Sequence, residues 1–188
     1  MLIPHAGASL RSSDPLYFML RPEPWAARQM QRVGSQLRAE NKLRGRLLEE
    51  TRLHVTLLFL NSFGQLPREA FAAIREAAAT VGMPVFLAGF DWAVSFGNGS
   101  NRPLVLRGYD TVAGVMLLRR ELVAALKSIG LRSVTENYTP HVTLLRDTER
   151  IDDRPIDEIR WRVREFALIR SYYGQSRHEV LGRWQLHG

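Results

Sequence analysis

The sequence predicts an α+β protein made of two related halves, and three observations carry that prediction. Short apolar runs of strand character interleave with stretches whose apolar residues recur every three or four positions. Hairpin signals join several of the strand runs, which favours antiparallel sheet over a doubly wound parallel one. One pentapeptide, His-Val-Thr-Leu-Leu, occurs at both 54–58 and 141–145, the pattern left when a strand-and-helix unit is duplicated. Duplication implies a bilobal body with two pseudo-symmetric lobes.

Taken in order, residues 1–14 read as a flexible N-terminal arm and 15–188 as one folded unit. Leu16-Tyr17-Phe18-Met19-Leu20 is a buried strand, broken by Pro22 and Pro24. From 25 to about 42, Ala26, Met30, Val33 and Leu37 form the apolar stripe of a helix. Residues 53–60 are strand, and Asn61-Ser62-Phe63-Gly64 is a turn. Pro67 suits the first position of a second helix, carrying Phe71, Ile74, Ala78 and Val81 and stopped by Gly82 and Pro84. Strand runs at 85–96 and 103–107 flank Asn98-Gly99, a tight-turn signal. No helix follows that turn, so the Gly97-Asn98-Gly99 string is a poor phosphate cradle. A third helix at 112–129 places Val115, Leu118, Leu122, Ala125 and Ile129 on one face and stops at Gly130. A strand at 140–145 follows, and from Trp161 onward the chain reads as two strands around a polar turn at 173–177.

Composition narrows the function classes. The 188 residues are 45% hydrophobic and 24% charged, the balance of a globular protein that folds on its own. A net charge of +7 and a pI near 10.5 suit a polyanion or phosphorylated partner. Of 26 basic residues only Lys42 and Lys127 are Lys, a bias that reads mostly as codon usage. With no cysteine, thiolate nucleophiles, disulfides, iron–sulfur clusters and cysteine-held zinc are excluded. No apolar run approaches the roughly 20 residues of a membrane span. The N-terminal stretch lacks the basic start and apolar core of a signal peptide, so a cytoplasmic location is expected.

The chemistry is in the repeat. Strand side chains alternate faces, so His54 and Thr56 share one face, as do His141 and Thr143, while the valines between them turn away. Related by a pseudo-two-fold, two imidazoles and two hydroxyls converge on one cleft. That set suits displacement at phosphorus: one imidazole takes a proton from the attacking oxygen, the other gives one to the leaving oxygen, and the hydroxyls donate to the non-bridging oxygens. Either imidazole can fill either role near neutral pH, and no metal or other cofactor is called for. A single His at a strand start is usually an ordinary core residue. A core His has no reason to be accompanied twice by Thr two residues on. Zinc is a poorer use of these residues, because His5, His178 and His187 fall in an arm, a turn and a terminus.

These two His-x-Thr motifs, with Tyr17-Phe18-Met19-Leu20, Tyr138-Thr139-Pro140 before and Arg146 after the second motif, and the closing stretch from His178 to Leu186, resemble the 2H phosphoesterase superfamily. The resemblance is to its branch of 2′-5′ RNA ligases and RNA 2′,3′-cyclic phosphodiesterases. It implies antiparallel sheets flanked by helices, with both motifs lining a central cleft. It also implies His54 as general acid on the leaving 3′ oxygen, His141 as the base that activates water, and Thr56 and Thr143 on the phosphate. The implied partner is an RNA or nucleotide 2′,3′-cyclic phosphate, handled by a monomer with no metal and no membrane. A non-catalytic RNA-end or phosphate-binding module using the same cleft is the alternative. Three features depart from the family pattern: Glu50-Thr51-Arg52-Leu53 replaces a Pro-Glu-Asn sequence, His178 stands where Tyr is usual, and the arm is long. By simple alternation Arg146 faces away from His141, so a phosphate contact from it requires a bulge.

Overall fold

A computed structural model describes residues 15–60, 68–97, 99–131, 137–172 and 177–187. The expected arm at 1–14, the turn at 61–64, Pro67, Asn98 and most of the turn at 173–177 lie outside the described residues. Eight strands form one sheet: β1 (Leu16–Leu20), β2 (Val55–Phe59), β3 (Phe86–Ser95), β4 (Arg102–Arg107), β5 (His141–Asp147), β6 (Arg154–Val163), β7 (Glu165–Tyr172) and β8 (Arg177–Gln185). Three helices accompany them: α1 (Pro24–Glu40), α2 (Arg68–Ala79) and α3 (Ala113–Ser128). The strand order is β6-β3-β4-β5-β2-β1-β7-β8, with every pairing antiparallel, so the α+β prediction holds.

The tail departs from the sequence reading, which gave two strands after Trp161. There are three, and β6 begins at Arg154. Its sequence, RPIDEIRWRV, hides a strand because β6 is an edge: charged side chains alternate with Ile159, Trp161 and Val163, and an edge tolerates Pro155.

The two lobes are the four-stranded halves β2-β1-β7-β8 and β5-β4-β3-β6, which meet at a seam between β2 and β5. They share one core. Leu16, Phe18 and Leu20 of β1, Phe90 of β3, Leu104 and Leu106 of β4 and Trp161 of β6 pack with Met30 of α1, Ile74 of α2 and Leu118 and Leu122 of α3. The helices therefore cover one face of the sheet. Tyr17, Met19, Ala167 and Ile169 form a small second cluster on the other, open face.

Duplication is written into the register. Leu20 faces Val55 as Leu106 faces Val142, Met19 faces Thr56 as Val105 faces Thr143, and Phe18 faces Leu58 as Leu104 faces Leu145. Each central strand thus slips by one residue at its Leu-Leu pair, so the same bulge interrupts both copies. The burial strings agree, with two successive buried residues at Leu57-Leu58 and again at Leu144-Leu145.

Across the seam the ladder holds a single register pair, Val55 with Val142, both fully buried. Beyond it other partners satisfy the backbone. The Thr56 carbonyl accepts from the Tyr138 hydroxyl (2.9 Å) and the Leu57 carbonyl from Arg119 Nε of α3 (3.1 Å). On the other side Leu48 N–H donates to the Leu144 carbonyl (2.8 Å). The same loop is pinned to the end of β5: the buried Asp147 carboxylate accepts from the backbone N–H of Arg44 and Gly45, both at 2.6 Å, and of Glu149 at 2.9 Å. Gly45 must lack a side chain here, because a Cβ would collide with the Arg146 carbonyl.

These backbone donors hold the Asp147 carboxyl down at about 2. Its native value lies below its unfolded one, so the stability it contributes is present above pH 4 and is lost as pH falls toward 2. Asp147→Ala orphans these N–H groups and is expected to cost about 2–4 kcal/mol in a urea melt, with a shallower acid limb than the parent protein.

Candidate active site

His54 and His141 are fixed in the same way. Each Nδ1–H donates to the carbonyl oxygen two residues back, His54 to Arg52 at 2.7 Å and His141 to Thr139 at 2.8 Å. Carbonyl oxygens only accept, so both rings carry the Nδ1 proton when neutral and leave Nε2 free for chemistry. The short 3₁₀ turn Glu50–Arg52 and Pro140 set these carbonyls just ahead of the two strands.

Val55 and Val142 point into the core, so the residues on either side of them point to the open face. His54 and Thr56 flank Val55, and His141 and Thr143 flank Val142, so both His-x-Thr pairs stand on the open face on either side of the one seam pair, and the charge of His141 acts on His54. Arg146 also belongs to this face. The bulge at Leu144-Leu145 restores its phase, and its charge acts on His141. His54, Thr56, His141, Thr143 and Arg146 thus all lie on the open face of the two central strands.

The walls on either side differ. Beside His54, the Tyr17 ring stacks at 5.3 Å and 25°, and His178 stands edge-on at 5.8 Å. Tyr17 Oη and His178 Nε2 are 3.1 Å apart, and Phe59, half exposed, tilts over Tyr17. Beside His141, Phe96 makes an edge contact at 5.1 Å. Arg107 and Trp92 continue the row of His141 across β4 and β3, and Arg107 lies 4.1 Å over the exposed Tyr109 ring. Phe18 is core and Trp25 is a surface residue bonded to Glu23, so neither belongs here.

His178 and Arg107 are the residues that the sequence reading passed over. His178 was placed in a turn, yet β8 carries it back to the site opposite Ser171. A signal for Arg107 existed: a Leu-Arg pair closes β4 at Arg107 and another straddles the end of β1, with Arg21 just past it, 107 − 21 = 86 positions apart and nearly in step with the repeat. Among the described residues no group of three or more His, Asp or Glu side chains is placed to hold a metal ion.

Burial lowers the pKa of both imidazoles. His54 falls to about 4, chiefly by desolvation, with the charges of His178, His141 and Arg21 adding to the effect and the Arg52 carbonyl opposing it. His141 is lowered by desolvation and by Arg146, against its own carbonyl bond to Thr139. His178 is lowered by desolvation and by Arg52 and Arg21.

The comparisons with known proteins fit this geometry. Residues 21–175 match the family described as the 2′-5′ RNA ligase superfamily, and the chain belongs to that family of 2H phosphoesterases. By sequence no curated protein matches it. Its fold is similar to that of E. coli LigT complexed with 3′-AMP, with a TM-score of 0.76 and 24% identity over 93% of this chain and 99% of that one. The apo form of LigT gives a TM-score of 0.74 and 26% identity over 94% and 100%. A protein of Thermus thermophilus gives a TM-score of 0.76 and 20% identity over 93% and 98%. Among the described residues no helix is long and apolar enough to cross a membrane.

An NMR titration of the imidazoles is expected to find His54 neutral down to about pH 4 and His141 titrating below the ordinary 6.5. Because the unfolded chain takes up these protons first, stability should decline as pH falls from 6.5 toward 4. A His54 ring that titrates at or above 6.5 would contradict the burial described for it.

Proposed function

We propose that this protein is a phosphodiesterase that hydrolyses 2′,3′-cyclic phosphates, on RNA ends or nucleotides, to 2′-phosphates. The observation that carries the reading is the pair of imidazoles, each locked by the carbonyl two residues back and each beside a threonine, on one face of the seam. In the reaction His141 Nε2 takes a proton from water as the water oxygen bonds to phosphorus. The P–O3′ bond then breaks and His54 Nε2 gives its proton to O3′. Thr56 and Thr143 donate hydrogen bonds to the non-bridging oxygens, and the Arg146 guanidinium balances the charge that gathers on them. With a 5′-hydroxyl in place of water, the same displacement makes a 2′-5′ linkage as O3′ leaves. Water is in vast excess, so hydrolysis dominates.

The pair needs one proton to work. Unliganded, both rings lose theirs below neutrality; an arriving phosphate anion favours the charged form and restores it to the acid. The kcat/KM profile is therefore expected to be a bell with its maximum below pH 6.5, its apparent pKa values belonging to the pair, while the kcat maximum shifts upward in the substrate complex.

Incubation of adenosine 2′,3′-cyclic phosphate with the protein in EDTA, with products separated chromatographically, should yield the 2′-phosphate and no 3′-phosphate. His54→Ala and His141→Ala should each lower kcat by about 10²–10⁴-fold with the melting curve retained. Tight, salt-sensitive binding of phosphate-ended RNA without product would instead mark a binding module that uses the same face.

A further inference from the structure

The repeat places an arginine next to each imidazole. Arg107 pairs with His141 in the β4–β5 register, and the matching step outward from Leu20 and Val55 sets Arg21 against His54. On the His54 side a second arginine joins it: Arg52, two residues before His54. Both guanidinium charges reach Tyr17 and His178, and that of Arg21 reaches His54 as well. This concentration of positive charge is left without a counter-charge. Among the described residues neither Arg21 nor Arg52 has an ion-pair partner, and Arg52 Nε is buried with nothing to bond. Glu23 is engaged with Trp25 and Glu49 with Arg46, and Glu50, two residues before Arg52, forms no ion pair with it. A buried donor that lacks an acceptor is costly unless a ligand supplies one.

We propose that Arg21 and Arg52, beside the Tyr17–His178 pair, form a second anion subsite that takes the phosphate on the 5′ side of the reacting nucleotide. The inference rests on the cyclic phosphodiesterase reading. There, O3′ of the reacting ribose must come within hydrogen-bond reach of His54 Nε2, so the rest of that nucleotide, including the phosphate one step toward the 5′ end, lies along the His54 wall. The His178 ring, edge-on to His54 and to the buried Tyr17, bounds this wall, and the two guanidinium groups match an oxyanion in geometry and charge. The preferred substrates are then cyclic phosphates that carry a 5′-phosphate group or the phosphodiester of a preceding nucleotide. A bare nucleoside 2′,3′-cyclic phosphate leaves the subsite empty.

The test compares kcat/KM for adenosine 2′,3′-cyclic phosphate with that for the same compound phosphorylated at its 5′ hydroxyl. The wild-type protein should prefer the 5′-phosphorylated compound by on the order of tenfold or more. The preference should shrink in Arg21→Gln and in Arg52→Gln, disappear in the double variant, and weaken as salt is raised. Arg107→Gln removes the same charge from the opposite wall and should keep the ratio. A wild-type ratio near one, a ratio that survives the double variant, or an equal loss in Arg107→Gln would each overturn the subsite. If neither compound is turned over, the phosphodiesterase reading fails and the subsite is decided by calorimetry. In that case adenosine 2′,5′-bisphosphate must bind more tightly than adenosine 2′-phosphate in the wild type but not in the double variant.

Discussion

Everything distinctive about this molecule depends on a sheet that is joined at its centre by one register pair. Val55 and Val142 hold the two halves together, and their burial orients the residues on either side of them outward. Beyond that pair the Thr56 and Leu57 carbonyls have no ladder partner on β5. Here Tyr138 and Arg119 take them, while a loop segment takes the Leu144 carbonyl. The seam is therefore open in strand pairing, while donors from a side chain, a helix and a loop take the Thr56, Leu57 and Leu144 carbonyls beside the reactive face. Helices from one half help to brace the other: α1 lies against β5 and β6, and α3 against β2.

The halves repeat in backbone and differ in electrostatics. Both imidazoles share a tautomer because both donate to the carbonyl two residues back. Around one stand two further arginines, a tyrosine and a third imidazole; around the other, a phenylalanine, a tryptophan and an arginine that is stacked on Tyr109. Burial makes both rings reluctant to hold a proton, and the charges of His178, His141 and Arg21 add to that on the His54 side as Arg146 does on the His141 side. An anion between them changes that balance more than any neutral ligand could.

The fold class and the shared face of His54 with Thr56 and of His141 with Thr143 were legible because alternation along a strand is a strict geometric rule, and the repeated pentapeptide shows which residues travel together. What escaped has physical reasons. β6 was hidden because an edge strand can be charged on its exposed positions and carry a proline. His178 was discounted because nothing local shows that β8, paired to β7, returns it to Tyr17 across 161 positions of chain. Arg146 pointed the wrong way under simple alternation, and only the slip at Leu144-Leu145 corrects its direction. The repeated Leu-Arg at the ends of β1 and β4 was readable, but two residues carry little weight until the register shows that they are equivalent.

The paired bulges also bear on how a duplicated pocket acquires a direction. An enclosure with perfect two-fold symmetry would hold an asymmetric guest in either of two poses at equal energy, and half of all encounters would be the wrong way round. The slip delivers the sixth residue of each copy to the same face, and that is where the copies part: a phenyl at Phe59 and a guanidinium at Arg146. Two side chains at equivalent places thus help to break the degeneracy while the backbone keeps its inherited symmetry.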